Sequence, residues 1–301
     1  MHEVPPAVQY DSALIVAERL LSGNSMVRGG DWMARVPLAT DGLRGDHAHR
    51  GPSEKRKVPE VITVYFWIIK ILSTGMGEAA SDFLAHHFPP VLAGTIGALG
   101  LAVALLLQFV VAKYIAWSYW LAVAMVAVFG TMAADGLHVE LGVPYIASSA
   151  FYLVILVVIF GAWYNSEKTL SIHSIFTLRR ELFYWATVLA TFALGTALGD
   201  LTAITMQIGY FASALLFVGL FLIPGLSYWL FRVNSVLAFW AAYVLTRPIG
   251  ASFADWMGVP KDFGGLDWGR GTVALVLAIP MVLLVGYLAI SRRDIRATGT
   301  S

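Results

Sequence analysis

Residues 66–82 read FWIIKILSTGMGEAASD, and this segment decides the fold because its pattern returns three more times along the chain. In each copy a tryptophan stands fifteen residues before an aspartate, an aromatic residue directly precedes the tryptophan, and a glycine stands five residues before the aspartate. The tryptophans are Trp67, Trp120, Trp185 and Trp240, the glycines Gly77, Gly130, Gly195 and Gly250, and the aspartates Asp82, Asp135, Asp200 and Asp255. The same residue types at the same spacing in four copies, without an insertion or deletion, indicate an internal repeat.

The copies lie within a chain that is 58% hydrophobic and only 13% charged, which is unlike a soluble domain. A membrane-spanning helix needs about 20 mainly apolar residues, and lipid offers no partner to unpaired backbone groups. The sequence therefore predicts an all-α integral membrane protein with eight transmembrane helices. Their predicted spans are Val61–Leu84, Leu92–Ala112, Tyr119–Leu137, Tyr145–Trp163, Phe183–Thr202, Ile208–Leu230, Val236–Trp256 and Thr272–Ile290.

Each repeat contains two of these helices, so all four copies enter the membrane in the same direction. The interpretation is four parallel two-helix repeats, at about 61–113, 119–164, 183–231 and 236–291, in a transmembrane domain of residues 58–291. Two arrangements remain open: a pseudo-fourfold bundle, or two pseudo-twofold halves. A flexible N-terminal tail is predicted at residues 1–57 and a C-terminal tail at residues 292–301, both cytoplasmic. Each repeat glycine is small enough to let a neighbouring helix approach closely.

Lysine and arginine are unequally divided between the two sets of loops. Most of them lie in the tails and loops on the side of the membrane that holds both termini, whereas the loops on the other side contain only Lys261 and Arg270. The positive-inside rule then predicts the inner (cytoplasmic) membrane with both termini in the cytoplasm. The partner is the lipid bilayer. The net charge of +1 and the lack of a basic domain argue against nucleic acid.

The opening of the first repeat resembles a known bacterial family. Lys57-Val58-Pro59-Glu60, Phe66-Trp67-Ile68-Ile69-Lys70 and Gly77-Glu78-Ala79-Ala80-Ser81-Asp82 are similar to the start of membrane-anchored proteins that carry this repeat, often four times. The resemblance extends over about residues 57–291. It implies the fourfold repeat, and no activity is established for that family.

The four aspartates are the main candidates for function. A charged side chain within a membrane costs about 2.5–3.5 kcal/mol on insertion scales, and the helix dipole disfavours an anion near a helix C-terminus. Four parallel copies would place these carboxylates at one depth as a ring. One turn away on the same face stand Glu78, Thr131 and Thr196. Stacked oxygen rings attract cations, and hard divalent ions prefer such ligands.

Two functions for the aspartates stay open at this point. They bind a transported cation, with Asp82, Asp135, Asp200 and Asp255 as candidate metal ligands, or they only bond neighbouring helices and lock the bundle. Lys70 lies three residues after Trp67, so its stem is expected to extend to the cytoplasmic surface, with a role in the site as the alternative. Arg247, before Pro248, is either a functional irregularity or an ion-pair partner.

The sequence thus favours a transporter or channel-like permease for a small inorganic cation, a proton or a divalent metal. The alternatives are a membrane scaffold with structural aspartates and a membrane-embedded enzyme or sensor that uses Glu78 and Arg247. No enzyme motif and no cysteine is present, so an enzyme is the least favoured of the three. No cofactor is expected apart from a bound or transported divalent cation.

Overall fold

The computed structural model describes residues 56–295, apart from the side chains of residues 139 and 140. All but the last two residues of the predicted tail at 1–57, and most of the one at 292–301, therefore lie outside the described residues. The described part is helical, with no strand. Its long helices are α1 (Val64–His87), α2 (Pro90–Val110), α3 (Ala116–Asp135), α4 (Tyr145–Glu167), α5 (Leu178–Asp200), α6 (Tyr210–Phe231), α7 (Ser235–Gly258) and α8 (Arg270–Ser291).

Local chemistry explains where several of these helices begin. The side chains of Thr63, Thr177 and Asn234 accept hydrogen bonds from the first free backbone N–H groups of α1, α5 and α7, which is the usual N-cap interaction. Pro90 opens α2, where its missing N–H removes no helical bond. The helix bounds agree with the predicted spans to within a few residues, except that α5 begins five residues before Phe183.

Seven of the eight described helices, α2 to α8, are long and apolar enough to cross a membrane. This pattern indicates a multi-pass membrane protein. Helix α1 has 24 residues, but it carries Lys70, Glu78 and Asp82. Lys70 and Glu78 are buried inside the bundle, so these two charged residues of α1 do not face its surroundings.

The helices form two layers. Helices α1, α3, α5 and α7, here called the inner-ring helices, pack in a closed ring in which α1 contacts α3, α3 contacts α5, α5 contacts α7 and α7 contacts α1. Each even-numbered helix packs mainly against the inner-ring helix of the following repeat: α2 on α3, α4 on α5, α6 on α7, and α8 on α1. Every repeat therefore contacts the next one, and the last repeat contacts the first.

The repeat glycines lie at the contacts within this ring. A Cβ at each of them would meet the side chain eight residues before the aspartate of the next repeat. The four pairs are Gly77 with Ala127, Gly130 with Phe192, Gly195 with Arg247, and Gly250 with Thr74. Glycine is required here because any side chain would force the inner-ring helices apart.

The end of the ring where the inner helices begin is filled by aromatic side chains and is called the aromatic end. Phe66, Tyr119, Tyr184, Phe239 and Tyr243 are buried there, and Tyr119 and Tyr184 share a hydrogen bond of 2.5 Å. Three of the repeat tryptophans are buried against this layer; they are Trp120, Trp185 and Trp240. No open passage is expected through such packing.

The first and last repeats are also joined outside the spans. The backbone carbonyl of Asp294 accepts hydrogen bonds from the N–H groups of Glu60 and Val61, at 2.9 and 3.0 Å. The Tyr114 hydroxyl donates to the Asp294 carboxylate over 2.5 Å. Burial raises the pKa of both groups above their ordinary values, and the negative charge of Asp294 raises the pKa of Tyr114 further. These bonds close the ring of repeats at the aromatic end.

Candidate functional site

The four repeat aspartates line one cavity at the end of the bundle opposite the aromatic end. This carboxylate cavity has a volume of about 470 Å³ and is also lined by Glu78. Each aspartate comes from a different inner-ring helix because the ring brings the same repeat position of all four to the axis. Exposed residues near helix ends, such as His86 and Ile204, form part of the wall, so the cavity is open at this end.

The aspartates differ in their partners. Asp82 pairs with Arg270, whose Nε donates to the carboxylate over 2.8 Å. Asp135, Asp200 and Asp255 make no ion pair and no side-chain hydrogen bond within the part of the chain that the structure describes. Three carboxylates therefore face the cavity without a compensating cation, a state that favours a positively charged ligand.

Below the cavity the axis is occupied by a buried polar network. Arg247 of α7 forms an ion pair with Glu78 of α1, and the same guanidinium donates to the hydroxyls of Thr131 and Thr196. The Thr131 hydroxyl also donates to Glu78 over 3.1 Å. Another N–H of Arg247 reaches the Thr74 carbonyl at 3.2 Å. All four inner-ring helices thus contribute to one network, as buried charges require.

Arg247 is therefore an ion-pair partner, although it does not pair with an aspartate. Helix α7 continues through Pro248, so the proline causes no break. The Thr74 hydroxyl donates over 3.1 Å to the carbonyl of Thr246, at the contact where α7 meets α1. The Arg247 side chain passes across Gly195 of α5. The repeat glycine makes room for the long side chain and so lets it reach Glu78.

The prediction that the Lys70 side chain extends to the cytoplasmic surface is wrong. The residue is 0% exposed, and its Nζ has no hydrogen-bond partner in the described structure. The Nζ atom lies 3.9 Å from the ring centroid of Phe192 and 4.3 Å from that of Tyr243. The prediction failed because Lys70, Thr74, Glu78 and Asp82 are four residues apart, a spacing that puts all of them on the inward face of α1.

Several side chains of the cavity were not predicted. Arg270 was assigned only to a loop, and Ser81 was not singled out, although its hydroxyl is buried without a partner and lines the cavity. Tyr145 and Tyr210 also line it. A signal for the tyrosines was present, because each stands ten residues after a repeat aspartate.

The helices end differently in the middle repeats. A turn of π-helix, at Gly136–Glu140 and at Leu201–Thr205, directly follows Asp135 and Asp200. Turns of π-helix are rare in proteins, and those that do occur are often found at functional sites. Here they place Gly136 and Ile204 in the cavity wall.

The predicted metal ligation by the four aspartates stays a prediction. Among the described residues, no three of His, Cys, Asp and Glu stand close enough together to hold one metal ion. A dehydrated divalent cation takes six or more oxygen ligands at about 2.0–2.6 Å. In this conformation the carboxylates line a wide cavity and do not surround a single point.

The chain belongs to the repeat family described as Repeat of Unknown Function (DUF347), which matches it four times, at residues 65–114, 118–169, 183–234 and 238–294. The four matches include one helix pair each and confirm the fourfold repeat found in the sequence. No curated protein and no solved structure matches the chain. The family description names no activity, so function rests on the geometry of the site.

Proposed function

We propose that this protein is a multi-pass cation transporter whose substrate enters through the carboxylate cavity. In this proposal α1 spans the membrane with the other seven helices, and the repeats form a pseudo-fourfold bundle around the transport axis. The observation that supports it is a series of ionisable side chains that follow one another along that axis. It runs from the aspartates through Glu78 and Arg247 to Lys70. Ionisable groups inside membrane helices generally mark ion or substrate pathways.

The distribution of basic residues supports one orientation. Lys261 and Arg270 are the basic residues near the cavity end, while Lys57, Lys113 and Arg179 lie among many others at the aromatic end. Under the positive-inside rule the cavity then opens away from the cytoplasm, and both termini lie in the cytoplasm of a bacterial inner membrane. A cation would therefore enter from outside.

The packing favours a gated transporter over an open channel. A cation that leaves the cavity along the axis meets the guanidinium of Arg247, then the buried side chain of Lys70, and then the buried aromatic layer. The positive charge of Arg247 and the close packing oppose its passage in this conformation. Transport would require the Glu78–Arg247 pair, which joins α1 to α7, to separate or move.

The sequence favours a proton or a divalent metal ion as the transported cation. The first test therefore measures transport of these ions. Flux of H⁺, Na⁺, K⁺, Mg²⁺ and Mn²⁺ would be measured in proteoliposomes that contain the full chain. We expect flux of a cation that Asp135→Asn, Asp200→Asn or Asp255→Asn lowers while the variants remain folded. Asp262→Asn, in the exposed turn Lys261–Phe263, is the matched control.

The scaffold hypothesis predicts a different outcome for the same variants. Asparagine keeps the hydrogen-bonding capacity of aspartate and removes its charge, so a purely structural role would leave the protein folded and functionally unchanged. Absence of flux for every cation tested, inorganic and organic, would contradict the transport proposal and favour a scaffold or sensor.

A further inference from the structure

The cavity has a charge and a size that bear on the class of its ligand. Asp82 and Glu78 are offset by Arg270 and Arg247, which leaves the carboxylates of Asp135, Asp200 and Asp255 on three different helices. The volume of about 470 Å³ exceeds the roughly 30 Å³ occupied by one water many times over. It falls in the range of about 300–1,000 Å³ that is usual for organic ligands.

The positions of the carboxylates oppose a dehydrated inorganic ion. No three acidic or histidine side chains of the described residues converge on one point, although a bare divalent cation needs several oxygen atoms at contact distance. A ligand that carries its positive charges some distance apart could meet the carboxylates one at a time. Such a ligand satisfies the three unpaired groups without requiring them to move together.

Apolar groups also line the cavity wall. They include Ala85, Pro90, Ala93, Met132 and Val259. Methylene groups would pack on this surface and be removed from water, which is favourable. A strongly hydrated metal ion gains nothing from such a surface.

Two further features suit ammonium groups. Ser81 is 0% exposed, and its unpartnered hydroxyl lines the cavity, so its oxygen can accept a hydrogen bond from a ligand N–H. The rings of Tyr145 and Tyr210 also belong to the wall, and aromatic faces attract ammonium ions. These features are independent of the acidic cluster.

We infer that the carboxylate cavity binds a linear aliphatic polyamine, whose separated ammonium groups contact Asp135, Asp200 and Asp255 and whose methylene segments contact the apolar wall. The inference rests on the proposed function and names its substrate class. It replaces the small inorganic cation favoured by the sequence with an organic cation of the same sign.

The test is calorimetric titration of the detergent-purified full chain at fixed ionic strength. Spermidine and cobalt(III) hexaammine carry the same charge of 3+, but only spermidine distributes it along a flexible apolar chain. We expect wild-type protein to bind spermidine at least about tenfold more tightly than hexaammine or Mg²⁺, a difference of about 1.4 kcal/mol. Equal or tighter binding of hexaammine or Mg²⁺ would overturn the inference in favour of a compact, hydrated ion.

Single substitutions locate the binding. Asp135→Asn, Asp200→Asn and Asp255→Asn should each weaken spermidine binding by about tenfold, and Asp262→Asn should leave it unchanged. Spermidine binding that none of the three cavity variants alters would overturn the assignment, because the amine would then bind elsewhere. The comparison of spermidine with hexaammine needs only wild-type protein and stands even where a variant does not fold.

Uptake of labelled spermidine into proteoliposomes separates the inference from the proposed function. Spermidine binding without uptake supports the ligand class and contradicts transport. Uptake of Mg²⁺ or Mn²⁺ by a protein that does not bind spermidine supports transport and overturns the ligand class.

Discussion

Arg247 of α7 and Glu78 of α1 form a fully buried ion pair at the contact between the last repeat and the first. In the other repeats the position of Arg247 is occupied by Thr74, Ala127 and Phe192, and the position of Glu78 by Thr131, Thr196 and Ala251. The repeat therefore supplies a uniform frame, and single departures from it provide the two charges of this buried ion pair. The two threonine hydroxyls that bind Arg247 come from the positions equivalent to Glu78.

Breaking this pair should destabilise the protein strongly. Arg247→Met would leave the Glu78 carboxylate buried without its cation, at a cost of about 3–5 kcal/mol in the free energy of unfolding. Thermal or denaturant unfolding in detergent measures this. The double variant Glu78→Gln with Arg247→Met should recover much of the loss, since no unpaired charge remains. A stable Arg247→Met single variant would show that the pair does not hold α1 against α7.

The closure of the ring at Gly250 should be equally sensitive to size. A Cβ at Gly250 would overlap the Thr74 side chain and lie 2.7 Å from the backbone N of Gly75. Gly250→Ala should therefore cost about 1–3 kcal/mol of stability through overpacking, measured as a lower unfolding temperature. Gly219→Ala in α6 is the control, because its Cβ meets nothing within 4 Å. Equal stability of the two variants would contradict the packed ring.

Lys70→Met should separate stability from function. Methionine fills a similar space and removes an amine that has no hydrogen-bond partner, so the variant should be at least as stable as the wild type. If Lys70 belongs to the transport axis, flux in proteoliposomes should nevertheless fall. A variant with wild-type flux would assign Lys70 a structural role only.

Arg270 should oppose the binding of cations. Its guanidinium lines the cavity and pairs with Asp82, so Arg270→Gln makes the cavity more negative by one charge. We expect tighter binding of spermidine, or of whichever cation is carried, by a few-fold, with little change in stability because the pair is partly exposed. Titration calorimetry compares the binding of the cation by Arg270→Gln and by the wild type in the same buffer. Weaker binding by Arg270→Gln would place the ligand away from this wall.

Sequence patterns were sufficient for the frame of the molecule. The repeat and the apolar spans located the eight helices, and the family match agrees with them. The spacing of four residues between Lys70, Thr74, Glu78 and Asp82 would also have placed Lys70 inside the bundle. Its nearness to Trp67, near the start of the predicted span, suggested the surface, because a position close to the end of a span lets a lysine stem reach out of the membrane.

The partners of the charged groups could not be predicted in the same way. The contact of Arg247 with Glu78 depends on the closure of α7 against α1, which are 169 residues apart in the chain at this pair. Arg270 reaches Asp82 because α8 packs on α1 and not mainly on its own repeat partner. Local periodicity gives the face of a helix, but it does not give the neighbour on that face.

The most direct test of the central claim uses the absence of cysteine from the chain. Ser81→Cys places one thiol in the cavity wall, and Arg179→Cys places one at the exposed opposite end. A positively charged, membrane-impermeant thiol reagent added outside should modify Ser81→Cys, block cation flux, and react more slowly when the transported cation is present. It should not modify Arg179→Cys. Modification of Ser81→Cys that leaves flux unchanged, or that occurs only from the cytoplasmic side, would contradict the claim that this cavity is the outer entrance of a cation pathway.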